Sequence, residues 1–185
     1  IKDINSYELL SNTLDDACGE CFDKIAKMLN LGFPGGPSIE IAAKKGDPDR
    51  YLLPRPMIND KNLNFSFSGL KTAVLHKINK VEFDLMKEKN IFDMAASFQK
   101  AVGDIFADRL TKTLLKNKSK LTIACAGGVA SNLYLRNRLQ KVASNMDTNI
   151  VFPPLKLCTD NGAMIAWAGI DRLKMGLTSP LSIQA

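Results

Sequence analysis

Apolar and polar positions divide the chain into a helical first part and a strand-turn-helix second part. Ala17, Cys21, Phe22, Ile25, Met28 and Leu29 recur at helical spacing, opposite a charged face of Asp16, Glu20, Asp23, Lys24 and Lys27. Thr13 and Asp16 stand at the spacing of a capping box ahead of that helix. A Pro34–Pro37 turn ends it, and a short helix over 38–45 is expected to stop at Gly46. Residues 47–64 carry three prolines and no period, which predicts a long structured loop of the kind that tends to be functional. Asn64–Ser68 alternates like a strand, and Ser6–Leu10 is read as the end of another. Gly69–Lys71 opens a helix, and Lys80–Asn90 reads as a charged connector. From Phe92 to Leu115 the apolar stripe Met94, Phe98, Ala101, Val102, Ile105, Phe106, Leu110, Leu114 predicts the longest helix and the spine of the domain, closed by Lys116–Lys120.

The second part is the more informative. Leu121–Ala126 is an apolar run of strand length, expected to be buried. Gly127–Gly128 follows as a turn, then Ser131 and Asn132 as candidate caps of an amphipathic helix. Ile150–Phe152 is a second short strand, stopped by Pro153–Pro154, and a last helix carrying Trp167 begins near Asp160. Strand, glycine turn, helix, strand, helix is the order of an open α/β sheet, which binds ligands where strand ends meet helix N-termini.

Composition narrows the partners. The 185 residues are 45% hydrophobic, enough for one domain with a core. Net charge is +6, spread along the chain, so most of it is a solvated face with room for a polyanion such as RNA. No apolar run reaches the ~18–20 residues a membrane span requires. Of four cysteines, Cys18 and Cys21 have CxxC spacing, but neither Cys125 nor Cys158 brings a second ligand pair, so Cys18 and Cys21 read as packing residues of a helix, and free thiols fit a reducing cytosol. His76 is the single histidine and has no second ligand nearby in sequence, which suits a surface or packing role.

Two features exceed what packing needs. Asp15 and Asp16 are accounted for by the helix dipole, but Asp23 lies mid-helix and gains nothing from it. The prolines of Phe33-Pro-Gly-Gly-Pro37 make a connector, yet a connector does not need both Gly35 and Gly36.

The stretches Thr13–Lys24, Phe33–Pro37, Pro54-Arg-Pro56, Phe65-Ser-Phe-Ser-Gly-Leu-Lys71, Ala126-Gly-Gly-Val-Ala-Ser-Asn132 and Cys158-Thr-Asp-Asn-Gly-Ala-Met-Ile-Ala166 resemble, in order, successive motifs of the bacterial TsaD family. These are tRNA threonylcarbamoyladenosine transferases, formerly called O-sialoglycoprotein endopeptidases. The family usually has alanine where Cys18 and Cys21 stand. The resemblance implies an actin, sugar-kinase and heat-shock-ATPase type of fold, ribonuclease-H-like. Of its two lobes this chain would be the second, with an inserted helical segment. Residues 1–115 would form the mostly helical part and 116–185 the nucleotide-binding part. It implies transfer of a threonylcarbamoyl group from threonylcarbamoyl-adenylate to the exocyclic amine of the adenosine beside a tRNA anticodon, with AMP leaving.

Residue by residue, the resemblance places Asp23, Gly36 and Asn132 on the adenylate, Gly127 and Gly128 in the turn beneath it, and Asp160 among the ligands of one divalent metal, iron or zinc. Two histidines of an HxxxH motif would complete that metal site from a segment before Ile1, along with an SGGHT-like loop, and an RPRWPL-like tail would follow Ala185. Lys71 and the basic loops would meet tRNA phosphates. No catalytic side chain is implied in these residues, and the chain alone would be inactive. TsaB-like and TsaE-like proteins would be its partners, in the cytoplasm or an organellar matrix. A generic ATPase or kinase lobe has no reason to carry FSFSGLK and CTDNGA. A non-catalytic paralogue that only dimerises would not need Asp160, Asp23 and Asn132 together. A peptidase is not drawn from one histidine.

Overall fold

Helix α4, Glu88–Lys116, is the spine that the apolar stripe predicts, starting four residues earlier than Phe92. At 29 residues it is about 43 Å long. The computed structural model describes residues 6–80, 83–117, 121–180 and 182; part of the expected connector (81–82) and of the Lys116–Lys120 run (118–120) lies outside them.

Against α4 pack α2 (Gly35–Ala43), α3 (Ser68–Ile78) and α5 (Leu133–Asn145), while α1 (Cys18–Met28) packs on α2 and α3. Their apolar faces share one core in which Cys21, Ile25, Leu29, Ile39, Leu70, Met94 and Phe98 are fully buried. Phe22 meets Phe98 edge to face, ring centroids 5.0 Å apart. Cys18 and Cys21 face this core; burial pushes the Cys21 thiol up to about 12 and the Cys18 thiol further, so both stay protonated packing groups.

Strands β1 (Thr122–Ala124) and β2 (Asn149–Val151) pair in parallel, Ile123 opposite Ile150, with α5 as the crossover. The chain is thus α/β, with a two-stranded sheet. β1 is not the buried strand expected: Thr122 and Ala124 are exposed and Ile123 half-buried. One crossover helix covers one face, where Ile150 joins Leu139 and Ala143, whereas parallel strands become fully buried only when both faces are covered. Helix α6, Gly162–Lys174, capped by the Asn161 side chain 2.9 Å from the Met164 N–H, buries none of its residues, and Trp167 is 72% exposed. No helix among the described residues is long and apolar enough to cross a membrane.

Five local expectations change. Asn64–Ser68 forms no strand; Phe65 makes a single parallel bridge with Thr13, and Tyr7–Leu10 has no regular structure. The reason is Asp15. Its carboxylate accepts from the Phe67 and Ser68 N–H groups at 2.8 and 3.2 Å and from the Ser66 and Ser68 hydroxyls, which turns the segment into α3. Asp16 likewise receives Lys24 and Lys71, each at 2.8 Å, so these aspartates serve α3 and a cation pair rather than their own helix dipole. The capping box is therefore absent: the Thr13 hydroxyl donates to the Asp16 carbonyl, and Ala17 caps α1 without a side-chain bond. Finally, α2 begins at Gly35, not Ser38, because Pro37 is tolerated in a first turn whose N–H groups need no intrahelical partner.

Burial raises the Asp15 pKa, but the bonds from Phe67, Ser66 and Ser68 outweigh it and hold it at about 2. A depressed folded pKa means stability present above the unfolded value near 3.9 and lost as pH falls towards 2. Asp15→Asn is expected to cost about 1 kcal/mol at neutral pH and to flatten the loss of stability between about pH 4 and 2, measured by urea unfolding across that range. A variant whose acid dependence parallels the parent's would show that Asp15 is not the titrating anchor.

Loop 47–64 is held by α4. Asp93 accepts from the Asp47 N–H at 2.7 Å, Asp104 pairs with Arg55 at 2.8 Å, and Arg109, Lys112 and Lys116 donate to loop carbonyls from Met57 to Asn62.

Candidate functional site

A cavity of about 340 Å³ opens where the middle of α1, the start of α2 and the turn before α5 meet, with Asp23, Gly36, Glu40, Gly128, Asn132 and Thr159 on its wall. Of the six residues singled out in the sequence, four line this wall (Asp23, Gly36, Gly128 and Asn132), and two are next to it in the chain, Gly127 beside Gly128 and Asp160 beside Thr159.

Asp23 is explained by a helix other than its own. Its carboxylate accepts from the Gly35 N–H at 2.7 Å, so it caps α2 from the middle of α1 and puts an anion at that helix's positive end. This contact needs the backbones close: a Cβ on Gly35 would lie 2.5 Å from the Asp23 Cα and 2.7 Å from the Phe22 carbonyl oxygen. A Cβ on Gly36 would meet nothing within 4 Å. The two glycines thus have different duties, Gly35 for helix packing and Gly36 for space in the cavity wall.

Asn132 is 5% exposed and fixed at both ends. Its carbonyl oxygen accepts from the Leu135 N–H at 2.9 Å as the cap of α5, and its amide donates to Gln99 at 2.8 Å. Gly127 has φ of +89°, which glycine adopts without strain, and leads into the 3-10 turn Gly128–Ser131. Arg136 pins this turn: it donates to the carbonyls of Ala130 and Pro153, lies over the Phe152 ring and stands 3.0 Å from the Cys158 sulfur.

Glu40 and Gln99 were not singled out in the sequence. Glu40 accepts from the Leu133 N–H at 3.0 Å, joining α2 to the start of α5, and gives the cavity a second carboxylate. Its signal is position, four residues after Gly36 and so on the same helical face. Gln99, buried, orients Asn132; a polar residue within the buried run 93–103 is the sign it left.

Other expectations find no site here. Asp160 is exposed, and among the described residues no three His, Cys, Asp or Glu side chains converge as metal ligands. One carboxylate does not fit a metal by itself. His76 is exposed on α3, as a surface role requires. Lys71 pairs with Asp16 at 2.8 Å, with part of its side chain exposed.

The model of a family described as TsaD, tRNA N6-adenosine threonylcarbamoyltransferase, matches residues 1–167. Curated relatives carry the same description: the chain is 47% identical over 182 residues to the protein of Afipia carboxidovorans, covering 96% of this chain and 50% of that one. It is 46% identical over 185 residues to that of Thermosipho africanus, covering 100% and 55%. Identity is 48% over 180 residues with that of Thermotoga neapolitana, covering 97% and 53%. The chain spans about half the length of these relatives. With a family match over most of its residues and near-half identity to these relatives, this chain belongs to the TsaD family, as a partial member.

Proposed function

We propose that this chain is the adenylate-holding half of a tRNA threonylcarbamoyltransferase, part of a ribonuclease-H-like lobe of the actin and sugar-kinase type. The helical part, 1–115, and the strand-turn-helix part, 116–185, each contribute one wall of its cavity. The observation that carries this reading is the convergence of Asp23, Gly36, Glu40, Gly128 and Asn132 on one cavity of nucleotide size.

Charge orders the ligand inside it. Asp23 and Glu40 are acceptors that suit ribose hydroxyls and repel phosphate. The phosphate of threonylcarbamoyl-adenylate then belongs at the Gly127–Gly128 turn, an uncharged part of the wall to which Gly128 contributes. Asn132, held by Gln99 and Leu135, keeps a second N–H and a second lone pair for the ligand. Two α-helix N-termini already carry the anions they favour, so the site takes a monophosphate ester more readily than a triphosphate. This argues for an acyl-adenylate and against an ATPase or kinase lobe. Acceptance of the acyl group by the adenosine amine beside a tRNA anticodon, and TsaB-like and TsaE-like partners, are part of the same reading. Asp160 would give one carboxylate to a metal that needs two imidazoles besides, and the binding chemistry of the cavity stands without it.

Calorimetric titration tests this. AMP and a non-hydrolysable threonylcarbamoyl-adenylate analogue are expected to bind, Mg-ATP no tighter than AMP, and Asp23→Asn to weaken both ligands at least about tenfold, the scale of a charged hydrogen bond. Tighter binding of Mg-ATP would favour the kinase-type reading, and no saturable AMP binding would overturn the assignment.

A further inference from the structure

We propose that a furrow leading out of this cavity between α2, α4 and α5 is the track on which the RNA substrate's sugar-phosphate strand lies. The proposal rests on the transferase reading for the identity of the polyanion; the track itself rests on geometry and charge. Two hollows of about 380 Å³ each continue from the cavity. The first shares Glu40 with the cavity, and the second shares Tyr134 and Asn137 with the first, so the three lie in a row, with the Glu40–Leu133 bond at the junction of the cavity and the first hollow.

Each helix offers it one stripe. Glu40, Ala43 and Lys44 come from α2, Ala96, Gln99, Lys100 and Asp104 from α4, and Tyr134, Asn137, Arg138 and Lys141 from α5, all at the three-to-four-residue spacing of a single helical face. The α5 stripe alone runs about 10 Å.

The furrow's charge turns positive away from the cavity. Lys44 and Lys141 are exposed and bond to no carboxylate among the described residues. Asp104 is shared by Arg55 and Arg138, at 2.8 and 3.1 Å, so one guanidinium charge there is left over, whereas Lys100 is balanced by Asp49. Glu40 is the one carboxylate at the cavity end. A strand lying along the furrow would therefore stop short of Glu40, whose carboxylate serves the adenylate in the cavity, and would meet cations for its phosphates beyond, with the half-buried Tyr134 ring on the way between.

The test is fluorescence anisotropy of a labelled tRNA anticodon stem-loop with this chain. Lys44→Glu/Lys141→Glu, two exposed positions, is expected to fold normally, to bind AMP unchanged, to weaken RNA binding at least tenfold near 0.1 M salt and to lower the salt slope by about 2. Lys77→Glu/Lys80→Glu, in a separate basic hollow with Arg50 and Tyr51, is the control and should change RNA affinity less than about twofold. The track is overturned if the parent chain does not bind the RNA, if the first variant binds as the parent does, or if the control loses as much. Poly-glutamate displacing the RNA at equal charge would instead make the furrow a site for an acidic protein. AMP binding without any effect of Lys44 and Lys141 on RNA sinks the track alone; loss of AMP binding in the parent sinks the adenylate reading, and the RNA data still judge the track.

Discussion

Gly35→Ala is expected to destabilise the chain by about 3 kcal/mol and to abolish AMP binding, while its neighbour Gly36→Ala loses binding without losing stability. The difference is geometric. On Gly35 the new methyl would lie 2.5, 2.7 and 2.8 Å from backbone atoms of Asp23 and Phe22, so α1 and α2 must separate and the Asp23 cap on α2 opens with them. A change of this size corresponds to a fall in melting temperature of roughly 6–12 °C. On Gly36 the methyl meets nothing within 4 Å and replaces the most flexible residue inside a helix, which favours the fold by about 0.5 kcal/mol. The same methyl projects from the cavity wall, where the ligand would pass. Thermal melts and AMP titrations of both variants check the pair. Normal AMP affinity in Gly36→Ala would show that the ligand does not cross Gly36, and a parent-like melt of Gly35→Ala would refute the close packing of α1 on α2.

Arg109→Leu is expected to cost about 3 kcal/mol, the cost of stripping a buried charge from its partners. Arg109 is 3% exposed on α4, donates to the Met57 carbonyl and, at 3.0 Å, to that of Asn62, and pairs with Asp108 at 3.2 Å. Leucine takes a charged donor from both loop carbonyls, leaving that of Met57 with the Asp60 N–H at 2.9 Å, and leaves the Asp108 carboxylate with Lys112. Arg109→Lys should recover only part, because the shorter side chain with its single ammonium does not reproduce the planar, two-nitrogen reach of the guanidinium to Met57 and Asn62. Urea unfolding gives the loss, and limited proteolysis gives its place: cleavage within 47–64 should precede cleavage elsewhere. An unchanged midpoint would mean that the loop is held by Arg55 and Asp93 without Arg109.

Legibility in the sequence followed the range of the interactions. Helices α1, α4 and α5 and the glycine turn were readable because periodicity, caps and punctuation act within a few residues; Asn132 as the α5 cap is one such case. The β1–α5–β2 order was readable for the same reason, but β1's exposure was not, since burial depends on what covers the second face. Asp15 shows the limit: it sits beside a helix start, where a dipole role is the local answer, yet it bonds Phe67 and Ser68 more than fifty residues away.

The candidate site divides the same way. The residue types of Asp23, Gly36, Gly127, Gly128 and Asn132, and the family to which their motifs belong, were determined by the sequence alone, because motif order survives without coordinates. Only the tertiary structure decided that Asp23 caps α2, that Gly35 rather than Gly36 is required for packing, that Glu40 and Gln99 join the site, and that Lys71 pairs with Asp16. Each of these is a contact between elements far apart in the chain, and nothing in a local pattern records which distant backbone a side chain will meet.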